Sequence, residues 1–522
     1  MVYLSFIGYR NFRIFKKETI INLAPISLLT GPNNSGKSSI LKSLILLNEN
    51  LKKGFFFDKL EFNSPNHNLG SYKHILNNTN AVINNNIEFT IPVELLIELK
   101  GRNKQISRYT DIIENPWIAR YEFTSSKNKE VGDLKKLLIY NDVIDPLLCL
   151  KRKKSLDDFR FTFELSINIK YILELVEKII DHDKHYLEVG NYKFDEKYLL
   201  FDYYADPEKN KSFVEENFEY LLHIERDILV KKFYKEKVYF SSIDEHLEIY
   251  GLEGSELHAI LADEICKRTG IWNIKPNKNY DFFYSFLEDL FIESLKANSV
   301  LNINYLPSQR GNIGRLFTNL DIDQPFNKLV MQFYCLDLEP LEKGIVFIEK
   351  WLQRFGIGQR FIIEQKEGAA SFIYIIKDKA KILLADLGFG TTQFISLLMK
   401  IAVTGNKERG QILLIEEPES NLHPNFQSLL ADMFYEAYSL FHIQFIIETH
   451  SEYLIRKFQY LVAKKYIKGK ELNIHYFDQN GYSKEINFLE DGRLDKEFGP
   501  GFFDEADNLS IELFNLRKTQ LN

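Results

Sequence analysis

The feature that most constrains this chain is a glycine-rich segment, GPNNSGKS, which fits the pattern G-x-x-x-x-G-K-S/T at residues 31–38 without a mismatch. A strand-like run, ISLLT (26–30), precedes it, and a run with helical spacing, SILKSLILLN (39–48), follows it. This order predicts a phosphate-binding loop, in which Lys37 reaches the β- and γ-phosphate oxygens and the Ser38 hydroxyl ligates Mg²⁺. The predicted nucleotide contacts are Gly31, Asn33, Asn34, Ser35, Gly36, Lys37, Ser38 and Ser39.

Two adjacent acids end an apolar strand much later in the chain. The run ILLI (412–415) leads directly into Glu416 and Glu417. Acids in this position usually form a solvated strand end, but their combination with a phosphate-binding loop favours catalysis. Glu416 can hold Mg²⁺ through the water molecules around the ion, and Glu417 can polarise an attacking water as a general base.

Two further segments have both a functional and a structural interpretation. His450 follows the apolar strand QFIIE (444–448) and can hydrogen-bond a γ-phosphate, although a lone histidine at a strand end is more often structural. The segment GFGTTQ (388–393) opens a helical run, and its glycines and hydroxyl groups form either a second anion site or a plain N-cap.

Taken in order, GPNNSGKSS, LGFGTTQ, LLIEEPESNLHP and ETHSEYLIRKFQ resemble the ABC-type ATPase heads of the SMC/RecF/OLD group. Within that group the chain most resembles the bacterial family whose Walker B strand ends in EEPE and continues into LHP. The segments INYLPSQRG (303–311) and DGRLDKEFGPGFFDEA (491–506) also resemble that family. The resemblance covers residues 1–75 and 300–510, and the middle of the chain has no family match.

The resemblance implies a role for each matching residue. Lys37 and Ser38 form Walker A, Glu416 is the Walker B acid and Glu417 is the catalytic base. The other implied functional positions are His450 as the switch histidine, Gly390 and Thr392 as the signature motif, and Asn421 and His423 in the loop after Walker B. The best match to a Q-loop is His67-Asn68-Leu69-Gly70, and Arg310 is a weaker match to a nucleotide contact. Glutamate replaces the usual Walker B aspartate, and the signature is GFGTTQ; both departures are compatible with slow turnover.

The same resemblance implies an enzyme that uses ATP and Mg²⁺ and converts ATP and water to ADP and phosphate. In ABC-type heads the signature of one subunit completes the site of another, so one loop and one signature imply a homodimer or a higher homo-oligomer. The resemblance also implies an AAA-family ATPase of bacterial anti-phage defence, of the Septu, PARIS or abortive-infection type, that senses or gates an effector nuclease of the HNH or Toprim type. Two alternatives stay open: an SMC/RecF-like ATPase of DNA repair or DNA-end binding, and a nucleotide-gated scaffold with little turnover.

The strand and helix patterns predict an α/β fold. We expect an ABC-type P-loop head with a mixed sheet, built from both ends of the chain, plus an antiparallel-sheet and helical insertion. The expected parts are the N-terminal head with Walker A (1–85), an antiparallel β part (86–169), a helical insertion (170–299) and the C-terminal head with signature, Walker B and switch histidine (300–522).

Composition excludes several classes of protein. The chain has 522 residues and a net charge of −7, so any contact with DNA would be a local patch. Its three cysteines are far apart, which fits a reduced cytoplasmic interior. No apolar run approaches the roughly 18 residues that span a membrane, and no signal-peptide pattern is visible, so we expect a cytoplasmic protein without a membrane partner. We also expect no nuclease site in the chain itself.

Overall fold

The computed structural model describes residues 4–52, 57, 59–64, 67–77, 86–93, 98–100, 106–108, 117–127, 129–141, 148–154, 161–167, 238–241, 301–308, 317–318, 325–334, 342–366, 370–407, 410–478, 483–499 and 502–520. Their strands are β1 (Phe6–Arg10), β2 (Thr19–Asn22), β3 (Ile26–Thr30), β4 (Lys59–Glu61), β5 (Asn63–Ser64), β6 (His67–Asn68), β7 (Ile87–Val93), β8 (Glu98–Lys100), β9 (Ile106–Arg108), β10 (Trp117–Ser125), β11 (Val131–Tyr140), β12 (Leu148–Lys154), β13 (Phe161–Ile167), β14 (Val238–Ser241), β15 (Ile303–Leu306), β16 (Phe317–Thr318), β17 (Arg360–Lys366), β18 (Ala370–Lys377), β19 (Ala380–Leu383), β20 (Ile412–Glu416), β21 (Gln444–Glu448), β22 (Leu472–Phe477) and β23 (Ser483–Asn487). Their helices are α1 (Lys37–Leu51), α2 (Tyr72–Ile75), α3 (Pro325–Tyr334), α4 (Lys343–Arg354), α5 (Phe389–Gly405), α6 (Pro424–Phe441), α7 (Glu452–Ala463) and α8 (Glu505–Gln520).

A mixed six-stranded sheet with the order β15-β20-β21-β3-β22-β23 forms the centre of the head. The neighbouring pairs β15–β20, β20–β21, β21–β3 and β3–β22 are parallel, and β23 pairs with β22 in the antiparallel direction at the edge. The inner strands are apolar along their whole length because both faces of the sheet are covered. In this order β21 lies between β20 and β3, the strand that precedes the glycine-rich loop. In the strand register Glu448 is opposite Glu416 on one side and Leu29 on the other.

Alternate residues of the central strands enter two different hydrophobic cores. Leu414 and Ile446 belong to the core that α1 shares with the large antiparallel sheet. Leu413 and Ile447 belong to the core built with residues of α3 to α7. Because successive strand residues point to opposite faces, the mixed sheet is the middle layer of three.

The large antiparallel sheet shares its core with α1. Its strand order is β14-β13-β12-β11-β10-β7-β1-β2, with β4 also paired to β11. In β10 the buried residues Trp117, Ala119, Tyr121 and Phe123 alternate with partly exposed ones. This two-residue period is typical of a sheet with one face in the core.

A smaller antiparallel sheet, β16-β18-β17 with β19 beside β18, lies in the C-terminal half of the chain together with α3 and α4. Phe355, which follows α4, stacks on Phe394 of α5 with ring centroids 3.9 Å apart and on Phe426 of α6 at 5.0 Å. These large rings fix the relative position of α5 and α6, the helices that precede and follow β20 along the chain.

The predicted fold class is confirmed: the protein is α/β, with a mixed sheet in the head and separate antiparallel sheets. The first strand, β1, begins at Phe6 and joins the antiparallel sheet through β2 and β7. Within the predicted helical insertion, 170–299, the described residues form β14, which extends that sheet beside β13. The rest of that interval lies outside the described residues, and the four-part division of the chain stays a prediction.

Candidate functional site

Two glycines give the loop between β3 and α1 its shape. Gly31 has a φ of +133°, and a Cβ there would lie 2.2 Å from the carbonyl oxygen of Phe477. Gly36 has a φ of +100°, and its Cβ would lie 1.9 Å from Cδ1 of Ile14. Both the backbone conformation and the close approach require glycine. Neighbouring segments therefore hold the loop from two sides.

Lys37, the first residue of α1, is 3% exposed and lies inside the loop. Its Nζ donates to the carbonyl oxygens of Gly31, at 3.0 Å, and Pro32, at 2.8 Å. The same nitrogen lies 3.9 Å from Oε1 of Glu448. Burial lowers the pKa of Lys37, while the charges of Glu448 and Glu417 oppose that change. The loop thus holds an ammonium group where phosphate oxygens bind in loops of this type.

Ser38 and Glu448 are joined directly. The Ser38 Oγ donates to Oε1 of Glu448 at 3.0 Å. Glu448 is 6% exposed, and its Oε2 has no hydrogen-bond partner in the described structure. Burial raises the pKa of Glu448 to about 7; the hydrogen bond from Ser38 and the charge of Lys37 oppose the rise, and Glu416 and Glu417 add to it. A buried carboxylate beside a loop hydroxyl is an environment that favours a bound cation.

Glu416 lies one strand further from the loop than Glu448 does, and it contacts residues on β15 and just after it. Its Oε2 accepts a hydrogen bond from the backbone N–H of Ser308 at 3.3 Å. Tyr305, on β15, also hydrogen-bonds Glu416 through its hydroxyl; burial and then the charge of Glu416 raise the pKa of Tyr305 above its usual range. Of the two predicted metal ligands, Glu416 ends β20 and Ser38 lies at the start of the helix that follows β3, and β21 separates these two strands.

Glu417 leaves β20 with a left-handed backbone, at a φ of +42°. Its N–H donates to the carbonyl oxygen of Glu448 at 2.8 Å, and its Oε2 accepts from Oγ of Ser420 at 2.9 Å. A positive φ is uncommon outside glycine, and such residues are concentrated at functional sites. These bonds hold the turn and orient the carboxylate.

Glu417 and His450 face the same cleft, whose volume is 460 Å³. Its lining residues are Asn33, Glu417, Glu419, Ser420, Asn421, Gln427, His450 and Ser451. They follow β3, β20 and β21, so the cleft lies outside the carboxyl ends of three adjacent parallel strands, where ligands bind in open α/β sheets. The structure thus brings together Asn33, Glu417 and His450 from three separate sequence motifs.

A buried acid holds the backbone of His450. Its N–H donates to Oε1 of Glu419 at 2.6 Å, and Glu419 is 7% exposed. The next residue, Ser451, caps α7 by accepting from the N–H of Leu454 and donates to Gln427. Partial burial and then the charge of Lys37 lower the pKa of His450, which Glu417 opposes. Burial and the charge of Lys37 thus favour the neutral imidazole.

The predicted signature residues lie at the start of α5 and are not among the residues that line this cleft. Gly390 packs against the loop after β20, where a Cβ would lie 2.4 Å from the carbonyl oxygen of Asn421. Thr392 is 4% exposed, and its Oγ1 donates to the carbonyl oxygen of Phe389. Gly388 and Phe389 are exposed, Phe389 at 53%. The N-cap is Gly388, no side chain caps the helix, and the Thr392 hydroxyl bonds back to the first turn, whereas the exposed turn at 388–389 faces outward.

The other predicted positions have structural contacts. Asn421 donates to the side chain of Gln393 at 3.0 Å, and Gln393 donates to the carbonyl oxygen of Ser308 at 3.3 Å. His423 is the N-cap of α6, where its Nδ1 accepts from the N–H of Asn425. The proposed Q-loop, 67–70, includes β6 and does not line the cleft, and Arg310 lies outside the described residues.

The donor set fits ATP and Mg²⁺. Lys37 supplies a cation inside the loop, and the Ser38 hydroxyl is one hard oxygen ligand. The buried Oε2 of Glu448, which has no hydrogen-bond partner among the described residues, is a second oxygen that a cation would satisfy. Bound Mg²⁺ would neutralise charge on the β- and γ-phosphate oxygens.

Sequence reasoning did not single out Glu448, Glu419 or Gln393. Glu448 ends the apolar run QFIIE in the same way that Glu416 ends ILLIE. The rule that identified Glu416, an acid at the end of a buried strand, therefore also identifies Glu448. Glu419 and Gln393 have no such local signal, because their importance comes from partners 31 and 28 positions away along the chain.

Comparison with known families agrees with this geometry. Residues 3–455 match the family described as "AAA ATPase domain". The chain belongs to the AAA ATPase family. Membership implies nucleotide binding and ATPase activity in general. The C-terminal residues 467–513 of this AAA ATPase match a family described as "Protein of unknown function (DUF3696)".

Solved structures similar to this AAA ATPase include two SMC heads. One is the Smc head domain with an extended coiled coil bound to the C-terminal domain of ScpA, from Pyrococcus furiosus. The two sequences are 13% identical, the match covers 98% of this chain and 100% of that chain, and the TM-score is 0.36. Another is the SMC head domain from Thermotoga maritima, which is 10% identical. That match covers 94% of this chain and 100% of that chain, with a TM-score of 0.35. The search of curated proteins finds no match. Within the described ranges, no helix combines the length and apolar character needed to cross a membrane.

Proposed function

We propose that this AAA ATPase is an ABC-type, SMC/RecF-like head that binds ATP with Mg²⁺ and hydrolyses it to ADP and phosphate. The observation that carries the proposal is the convergence of Lys37, Glu417 and His450 just beyond the carboxyl ends of β3, β20 and β21. These strands are adjacent and parallel, so one triphosphate can contact all three residues.

Each residue then has a defined role. Lys37 neutralises charge on the β- and γ-phosphate oxygens, while Ser38 and Glu416 are the predicted ligands of Mg²⁺. Glu417 accepts a proton from a water whose oxygen bonds to the γ-phosphorus, as the bond to the bridging oxygen breaks and its electron pair leaves with ADP. Neutral His450 donates a hydrogen bond to the γ-phosphate and so responds to its presence.

We further propose that two copies of the chain close around ATP. The start of α5 is exposed at Gly388 and Phe389 and lies outside its own chain's cleft. A large exposed apolar side chain beside a helix N-terminus suits a surface that is covered on association, and the helix end favours a nearby phosphate. The signature turn of one copy would thereby complete the nucleotide site of the other.

The test compares Glu417→Gln with Lys37→Ala. Glu417→Gln keeps the side-chain shape and the bond from Ser420 but removes the base, so kcat should fall by about 10²-fold or more while ATP still binds. Light scattering should then show an ATP-dependent dimer that persists. Lys37→Ala should bind no ATP and stay unassociated. A Glu417→Gln protein that binds ATP yet does not associate contradicts the two-copy arrangement.

At the level of biological role, we propose that closure of the heads gates an effector nuclease in anti-phage defence, with DNA-directed SMC/RecF-like action as the second candidate. The first is supported by the segment EEPESNLHP at 416–424 and rests on resemblance alone. Purification with native neighbours and an ATPase assay with duplex DNA separate the two. A stoichiometric nuclease that leaves on ATP hydrolysis supports gating, whereas several-fold stimulation of turnover by DNA supports the second role.

A further inference from the structure

Lys400 is a cation set into a helix that is otherwise buried on every side. All other residues of α5 from Thr392 to Thr404 are buried. Within the described part of the chain, the Lys400 amino group makes no hydrogen bond or ion pair. Burial, and then the charges of Lys407 and Lys328, lower the pKa of Lys400 from 10.5 to about 8. A cation in this environment destabilises the fold unless an anion accompanies it.

Three further lysines lie close to Lys400, and they come from separate parts of the fold. Lys328 belongs to α3, which packs against α5. Lys407 follows α5, and Lys52 follows α1. Burial, and then the charges of Lys52 and Lys328, lower the pKa of Lys407. The lysine cluster is defined by these four residues, whose positive charges are brought together by tertiary packing.

The partners of the lysine cluster leave most of its charge uncompensated. Lys407 donates to Oδ1 of Asn304, a neutral acceptor, at 2.7 Å. Lys52 pairs with a carboxylate oxygen of Glu49 at 2.8 Å. The other three lysines of the cluster form no ion pair within the described ranges. The cluster therefore carries an excess of positive charge in a protein whose net charge is −7.

A buried hydroxyl lies on the same face of α5 as two of these lysines. Lys400, Thr404 and Lys407 have the spacing i, i+4 and i+7, which aligns residues along one side of a helix. The chain is still wound at Lys407, whose N–H donates to the carbonyl oxygen of Thr404 at 3.3 Å. Thr404 is fully buried, and its Oγ1 has no hydrogen-bond partner in the described structure. Because buried hydroxyl groups are normally hydrogen-bonded, an anion drawn in beside Lys400 would satisfy this donor.

The lysine cluster lies at the opposite end of the head from the cleft. α1 runs for 15 residues from the phosphate-binding loop before it reaches Lys52, a distance of about 22 Å. Lys407 precedes β20, whereas Glu417 follows the carboxyl end of that strand. A ligand at the cluster is therefore not the nucleotide of the cleft.

We propose that the lysine cluster is a second anion site, which binds a phosphate group. Ammonium groups bind phosphate oxygens through charge-assisted hydrogen bonds, and several of them around one phosphate group match its charge. Lys400 supplies the partly buried base of the site, and the exposed Lys328 and Lys407 lie beside it. The phosphate group belongs to a free phosphate ion or to an oligonucleotide. The inference does not depend on the proposed ATPase function.

The test measures pyrophosphate binding by isothermal titration calorimetry at constant ionic strength. Lys37→Ala protein is used so that the loop at 31–38 does not contribute, and it should still bind pyrophosphate. Adding Lys400→Met removes the charge and keeps an unbranched side chain, so binding should weaken by about tenfold or more. Lys464 is an exposed lysine outside the cluster, and adding Lys464→Met instead should leave the affinity unchanged.

Competition separates the two sources of the phosphate group. An oligonucleotide that displaces pyrophosphate from Lys37→Ala protein indicates a nucleic-acid phosphate, and failure to displace it indicates a free phosphate ion. If the Lys400→Met protein does not fold, Lys407→Gln replaces it and should weaken binding at least several-fold. Equal pyrophosphate affinity with and without the cluster substitution, or no binding to Lys37→Ala protein, overturns the inference. Neither result affects the ATPase proposal, which is tested by ATP binding to the wild-type protein.

Discussion

Removal of the Glu419 carboxylate should impair turnover without impairing ATP binding. Glu419 accepts the hydrogen bond from the N–H of His450 at 2.6 Å and is 7% exposed. A hydrogen bond to a charged acceptor contributes about 1.5–3 kcal/mol, and its loss leaves an unpaired N–H in a partly buried site. Glu419→Ala should therefore lower the free energy of unfolding by about 2 kcal/mol and release the backbone of His450.

The expected loss of turnover follows from the same free energy of the Glu419–His450 hydrogen bond. Because 1.4 kcal/mol corresponds to a factor of ten in rate, misplacement of His450 should lower kcat by about 10- to 100-fold. The ATP dissociation constant should change by no more than about twofold, since the hydrogen bond of Glu419 is made to the residues after β21 and not to the loop at 31–38. Phosphate release, fluorescent-nucleotide binding and urea unfolding measure the three quantities.

Glu419→Gln is the conservative comparison. Its amide oxygen can accept the same bond, so kcat should stay within about fivefold of wild type. Glu490→Ala, a change at an exposed acid in a turn, serves as a control and should alter stability by less than about 0.5 kcal/mol. If Glu419→Ala folds and retains full kcat, or if Glu419→Gln is as slow as Glu419→Ala, the positioning argument is wrong.

Two further predictions concern stability. Gly31→Ala should destabilise the fold by about 3 kcal/mol or more, because its Cβ would lie 2.2 Å from the Phe477 oxygen at a φ of +133°; Gly388→Ala, with nothing within 4 Å, should be nearly neutral in the same urea titration. Lys400 on α5 should destabilise the folded state at neutral pH, because burial, with the charges of Lys407 and Lys328, lowers its pKa from 10.5 to about 8. This destabilisation, at most about 3 kcal/mol, is fully present below pH 8, where Lys400 is protonated in both the folded and the unfolded state. Between pH 8 and 10.5 only the unfolded chain keeps the proton, so stability rises with pH and the destabilisation disappears. Lys400→Met should thus raise stability by about 1–3 kcal/mol at pH 7 and by almost nothing at pH 10.5; an equal gain at both values would contradict the electrostatic cause.

Local sequence was sufficient for the parts of the site that depend on local geometry. The segment at 31–38 was predicted as a glycine-rich loop between a strand and a helix, and in the structure it joins β3 to α1, with positive φ angles at Gly31 and Gly36. The apolar runs that begin at residues 26, 412 and 444 predicted strands, and β3, β20 and β21 begin at these residues. Such features can be predicted because backbone conformation and strand burial are set by the residues themselves and their immediate neighbours.

The sequence by itself therefore determined that this chain has a glycine-rich loop between a strand and a helix, a buried strand that leads into two acids and a buried strand followed by His450. Only the tertiary structure decided that β21 lies between the other two strands, which places Glu448 against Ser38 and Glu416 against Tyr305. It also decided that Thr392 is buried and that Glu419 holds His450. The physical reason is that neighbours in a parallel sheet are chosen by how helices pack over both of its faces, here in two separate cores, and no residue pattern along a single strand contains that information.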